Sequence, residues 1–138
     1  MTDPTQRVRA SFDQQQAMRL IGAELVSVTA GEVEIALSYR PELTQQQGFV
    51  HAGVITTLLD SACGYAALTA MPEGSEVVSV EFKVNLLAPS VGERFRAVGK
   101  VRRAGKTLVV CTGEAFALKD GQEKLVSLMQ ATMFTVGA

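Results

Sequence analysis

The run FVHAGVITTLLDSACGYAALTAM, residues 49–71, constrains the fold more than any other part of the chain. It has no proline, is rich in Ala and Leu, and stops at MPEG, so Ala52 to Met71 reads as a helix of about five turns. Most of its circumference is apolar, and such a helix has to be buried. A single carboxylate, Asp60, stands near its middle. Burying a carboxylate is costly unless it is paired, hydrogen-bonded or protonated. The fold must therefore cover this helix and also account for its acid.

A membrane span is the first possibility to weigh, because the run approaches the ~20 residues that cross a bilayer. Asp60, His51, Thr56, Thr57, Ser61, Thr69 and Gly64 argue against it, and no Lys/Arg clusters flank the run. An ionised Asp at the bilayer centre costs roughly 2.5–3.5 kcal/mol on insertion scales. No membrane partner is expected. The formal net charge of −1 gives no general attraction to nucleic acid either. The N-terminal MTDPTQRVRASFDQQQAMRLIG lacks the apolar stretch and small-residue cleavage site of a signal peptide. Cys63 and Cys111 stand in no metal or redox spacing and read as reduced packing residues of a cytoplasmic protein.

The 138 residues suffice for one domain with a real core. Within the N-terminal segment 1–21, residues 5–21 alternate polar and apolar side chains as a short amphipathic helix would. AELVSVT (23–29) and EVEIALSY (32–39) flank Gly31 as a β-hairpin. The polar loop PELTQQQG leads to the long helix. After it only strands follow, at 76–89, 94–103, 106–118 and 123–136, separated by SVGE, RAGK and KDGQ. This order defines an α+β protein with a mostly antiparallel sheet, and curling that sheet around the long helix is the simplest way to bury it. QQQ occurs twice and is too short to carry meaning by itself.

At 100° per residue, Val54, Ile55, Leu58, Leu59, Ala62, Cys63, Ala66 and Ala67 form one wide apolar face. Thr56, Thr57, Asp60, Ser61 and Gly64 form the remaining narrow seam, with Gly64 leaving space one turn after the acid. Two roles for Asp60 stay open on this pattern. It is either a structural hydrogen-bonding group or a general base or nucleophile reached by substrate. His51 is the only histidine, which removes mechanisms needing a His pair and any His-rich metal site. There is no G-x-S-x-G elbow, phosphate loop or dinucleotide fingerprint.

FVHAGVITTLLDSACGYAA resembles the central-helix motif of hotdog-fold acyl-CoA thioesterases, nearest the phenylacetic-acid-degradation (PaaI-type) branch. That motif is H-G-G followed by an Asp eight residues after the first Gly; here the positions are His51, Ala52, Gly53 and Asp60. SVEFKVNLLAPSVGERFRAVGKVRRAGKTLVVCTGEAF is similar to the strand region of the same family. The resemblance implies a hotdog fold across 1–138, with the central helix at 52–71. It also implies hydrolysis of an acyl-CoA, aryl-acetyl or short to medium in chain, with no metal or organic cofactor.

The resemblance gives each matched position a role. Asp60 takes the place of the catalytic carboxylate. The backbone N–H of Ala52 takes that of the donor polarising the thioester oxygen, as an unpaired N–H at a helix start can do. Gln45 matches a polar side chain near the thioester, His51 a residue supporting the loop, and Ser79 a hydroxyl that orients water. Gln46, Gly53 and Gly64 are placed against the substrate. Arg102, Arg103 and Lys106, with Lys100 nearby, form a basic turn that is either a solvated tip or a holder of coenzyme A phosphates. Ala52 departs from the family glycine, which matters only if the position needs a positive φ.

These roles carry a geometric consequence. Asp60 lies ~13 Å along the helix from His51 and ~180° around it. One chain cannot present both to one thioester, so the roles require a homodimer with shared sites, which can pair further into a tetramer. The acyl pocket is expected to be apolar. A hydratase is disfavoured by the absence of its G-D-x-N-P-x-H pattern. The alternative of another class is a non-catalytic acyl-CoA-binding or regulatory protein of the same fold.

Overall fold

The computed structural model describes residues 3–137, so the first two residues of the N-terminal segment and Ala138 lie outside the described residues. Helix α1 (Pro4–Gln14) starts with Asp3 accepting a hydrogen bond from the Thr5 N–H and with Pro4 in its first turn. Helix α2 (Gln16–Ile21) follows at once. The sequence suggested one helix through 5–21; the chain instead breaks at Gln15, whose backbone is extended at φ −80° and ψ 103°. The cause is tertiary: the Gln15 side chain turns into hydrogen bonds with Tyr65 and Ser61 of the long helix.

Strands β1 (Glu24–Thr29) and β2 (Glu32–Ser38) form the expected hairpin. The long helix α3 (Ala52–Thr69) ends two residues before the expected Met71, with Ala70 as its C-cap. Strands β3 (Ser75–Leu86), β4 (Arg94–Ala104), β5 (Leu108–Lys119) and β6 (Gln122–Gly137) complete the chain. All pairings are antiparallel, in the order β1-β2-β4-β5-β6-β3. The sheet wraps α3, which is the hotdog arrangement that the resemblance implied.

Alternation along the strands sends one side of the sheet to the helix. Val33, Ile35, Leu37, Phe95, Val109 and Met133 are buried there against Ile55, Leu58, Leu59 and Ala62. Each such aliphatic side chain contributes about 1.5–3 kcal/mol when fully buried. Gly99 and Gly113 pair across β4 and β5 at the point of closest approach. A Cβ at Gly99 would stand 2.4 Å from the Ala62 carbonyl oxygen, and one at Gly113 would stand 2.9 Å from Cys63 Sγ. These two glycines let the helix lie directly on the sheet. Of the residues assigned to the apolar face, Val54 is only partly buried, at the open N-terminal end.

The side of α3 away from the sheet is covered by α1, which buries Val8 and Phe12 and sets the Phe12 ring 6.1 Å from that of Tyr65. Arg7 donates to the carbonyl oxygens of Leu68 (2.7 Å), Met71 (3.0 Å) and Pro72 (3.0 Å). A cation there satisfies unpaired carbonyls and complements the negative end of the α3 dipole. Strand β3 is an edge strand, and Val78, Val80 and Phe82 on it are exposed. Among the described residues, no helix is long and apolar enough to cross a membrane.

Candidate active site

Asp60 sits on α3 where the seam of small and polar residues meets the edge strand. The Ser79 hydroxyl of β3 donates to its Oδ1 at 2.6 Å. Ser79 Oγ also lies 3.3 Å from Met133 Sδ, which backs it from β6. A bulge between Ser79 and Glu81 interrupts the β3–β6 register beside the acid, and bulges re-aim side chains where they occur. Among the described residues, Oδ2 of Asp60 makes no hydrogen bond, so one carboxylate oxygen is held while the other is free to act.

Asp60 and Ser79 open onto a cleft of about 390 Å³ that reaches Gly64, Ser61, Tyr65 and Gln15. A Cβ at Gly64 would meet nothing within 4 Å, so the space expected beside this glycine is real. The cleft beside the acid is mostly polar. Val77 is the one wholly apolar side chain among the described residues lining the cleft. The apolar face of α3 is consumed by the sheet, which leaves the polar seam to face the opening.

The other implied residues gather at the start of α3. His51 is its N-cap, with Nδ1 accepting from the Gly53 N–H at 2.8 Å. The ring proton of the neutral imidazole therefore sits on Nε2. A Cβ at Gly53 would stand 3.0 Å from that Nδ1, which accounts for a glycine there. Ala52 is the first helical residue. Asp120 is the only non-glycine residue with positive φ among those described, so Ala52 has no need of glycine. Its N–H has no acceptor among the described residues. The Gln45 amide holds its own loop: Oε1 accepts from the N–H of Gln47 (2.6 Å) and of Phe49 (3.2 Å). Gln46 is exposed.

Ala52 and Asp60 are eight residues apart on one helix, about 12 Å along its axis. The acid and the free backbone donor therefore stand at separate places on the helix. The basic turn lies between β4 and β5. There Arg102 Nε donates to Thr112 Oγ1 at 2.7 Å, Lys100 lies 3.9 Å from Glu32, and Arg103 and Lys106 are exposed.

Both cysteines are fully buried and free, and Cys111 Sγ approaches the Cys63 carbonyl at 3.4 Å. Burial pushes the Cys63 thiol far up, with Cys111 and Asp60 adding to the effect, and pushes Cys111 up to about 11. Neither is a nucleophile in this state. Ser11, Gln15 and Tyr65 line the cleft without having been expected there. The signal present was the first QQQ, too short to interpret until the helix break put Gln15 over the seam.

A long helix wrapped by one antiparallel sheet places the chain in the hotdog class of folds. The family model described as the thioesterase superfamily matches residues 47–124, and the chain belongs to that superfamily. Over 98% of its length it superposes on a thioesterase family protein from Silicibacter pomeroyi, at 45% identity, TM-score 0.96 and 99% coverage of that chain. It is 31% identical to human "Acyl-coenzyme A thioesterase 13", over 78% of this chain and 81% of that protein. The PaaI protein of Escherichia coli shares the fold, with TM-score 0.86 at 20% identity, covering 98% of this chain and 94% of that one.

Proposed function

We propose that the protein hydrolyses acyl-CoA thioesters to a free acid and coenzyme A. The observation that carries this reading is the Asp60 carboxylate held through one oxygen by Ser79 at a cleft. It is matched on the same helix by the free Ala52 N–H. The thioester carbonyl takes its hydrogen bond from that N–H, where the helix dipole favours developing negative charge. Asp60 either takes a proton from the attacking water or attacks the carbonyl itself, and the thiolate of coenzyme A leaves. Isotope labelling separates the two routes: solvent oxygen entering the Asp60 carboxylate in a single turnover marks an anhydride.

The acid and the donor act together in a homodimer, with Asp60 of one subunit meeting Ala52 and Gln45 of the other. The exposed edge of β3, carrying Val80 and Phe82, is a surface suited to pair with its own copy. Two dimers can join as a tetramer. His51 and Gly53 shape the loop, and Gln46 borders the substrate. Arg102, Arg103 and Lys106 attract the coenzyme A phosphates. The spacing of His51, Gly53 and Asp60 supports the PaaI-type branch within the superfamily. Water is the co-substrate, no metal or organic cofactor takes part, and the buried thiols suit the cytoplasm.

The test is release of free thiol from a panel of acyl-CoA thioesters by the wild type and Asp60→Asn. Turnover lost in the variant supports the reading. No turnover on any thioester by folded protein turns it toward a non-catalytic acyl-CoA-binding role.

A further inference from the structure

We infer that the far end of the Asp60 cleft selects acyl groups bearing an oxygen function, and that Gln15, Ser11 and Tyr65 make the selection. This rests on the thioester reading above and adds to it a substrate class. The Gln15 amide has a defined orientation: Nε2 donates to Tyr65 Oη at 2.8 Å and Oε1 accepts from Ser61 Oγ at 3.1 Å. One Nε2 hydrogen is left over. The Ser11 and Tyr65 hydroxyls share a single hydrogen bond of 3.2 Å. Whichever donates, one hydroxyl proton also remains without an acceptor among the described residues.

Tyr65 is only 4% exposed and Gln15 is half-buried, while Ser11 is exposed at the rim; all three line the same cleft as Asp60. An alkyl chain entering here would strip water from the donors and return nothing, whereas a hydroxyl or keto oxygen would accept from them. Gln15 bonds Ser61, the residue after Asp60, and Tyr65 lies five residues beyond the acid, so the donors stand within about two helical turns of it. A straight acyl chain ending in a hydroxyl probes that span. The break between α1 and α2 puts Gln15 at this spot, so the N-terminal helices act as the specificity wall of the cleft.

The test compares kcat/KM for two thioesters of equal length, ω-hydroxyhexanoyl-CoA and heptanoyl-CoA, in the wild type, Gln15→Leu and Tyr65→Phe. The wild type should prefer the hydroxylated substrate by about tenfold or more, the worth of one well-made hydrogen bond to an otherwise unpaired group. Both variants should bring the ratio toward one. A ratio does not depend on how much of each variant folds, so partial misfolding does not obscure it. A wild-type preference for heptanoyl-CoA overturns this inference alone, as does a preference that neither variant changes. No turnover of any thioester overturns the hydrolase reading and this inference together.

Discussion

The Ser79 hydroxyl reaches across from the edge strand to donate a 2.6 Å hydrogen bond to Oδ1 of Asp60. The contact ties the middle of the buried helix to a strand 19 residues later in the chain. It aligns a carboxylate that is only half-buried, at the mouth of the cleft.

Asp60→Asn keeps the shape and the Ser79 contact but cannot accept a proton or form an anhydride. Its kcat should fall about 10²–10⁴-fold, the usual worth of a positioned acid–base group, while acyl-CoA still binds in equilibrium dialysis. Ser79→Ala leaves the carboxylate in place but unaligned, so its loss should be smaller. Full activity in Asp60→Asn would refute the mechanism.

The Ala52 donor is removable without disturbing the helix. Proline is well tolerated at the first helical position and lacks only the N–H. His51 before it has φ −58° and ψ 136°, the conformation that a residue preceding proline prefers. Ala52→Pro should therefore fold normally and lose about 10²–10³-fold in kcat. Mixing it with Asp60→Asn through denaturation and refolding should restore activity, because each mixed dimer contains one intact site. Recovery to about a quarter of the wild-type rate is expected from random pairing. No recovery in dimers shown to be mixed would place both groups in one chain's site.

Gly64 is a helix-interior glycine with open space beside it. Gly64→Ala should stabilise the protein by about 0.5–1 kcal/mol, read as a rise of about 2–4 °C in Tm. Gly64→Leu should fill the cleft and depress kcat/KM for larger acyl groups more than for acetyl. Equal loss on all substrates would argue against Gly64 bordering the acyl group.

The buried thiols predict an alkaline limb in stability. Their folded pKa values are raised, so their contribution is fully present below the unfolded thiol range, near 8.5. It is lost as pH rises, through about 11 for Cys111 and higher for Cys63. Thermal melts should hold steady below this range and fall above it, with a shallower fall in Cys111→Ala. In the native protein at pH 8, a thiol reagent should react with neither cysteine; rapid labelling would contradict their inert state.

The sequence by itself determined the parts that rest on local periodicity. A wide apolar stripe on 52–71 demanded burial, the alternating runs defined six strands, and the same helical wheel put Asp60 and Gly64 in one seam. The resemblance added a role to the acid, since a carboxylate in a seam alone does not distinguish support from chemistry. Tertiary structure decided the rest, because it depends on partners far apart in the chain. Returning β3 to the sheet edge beside β6 brings Ser79 to Asp60. Gln15 leaves its helix for Ser61, 46 residues away, and so converts an unremarkable glutamine into a wall of the cleft. The cleft is polar for a reason no strand or helix pattern records: packing on the sheet spent the apolar face of the helix, and the seam was what remained to face the opening.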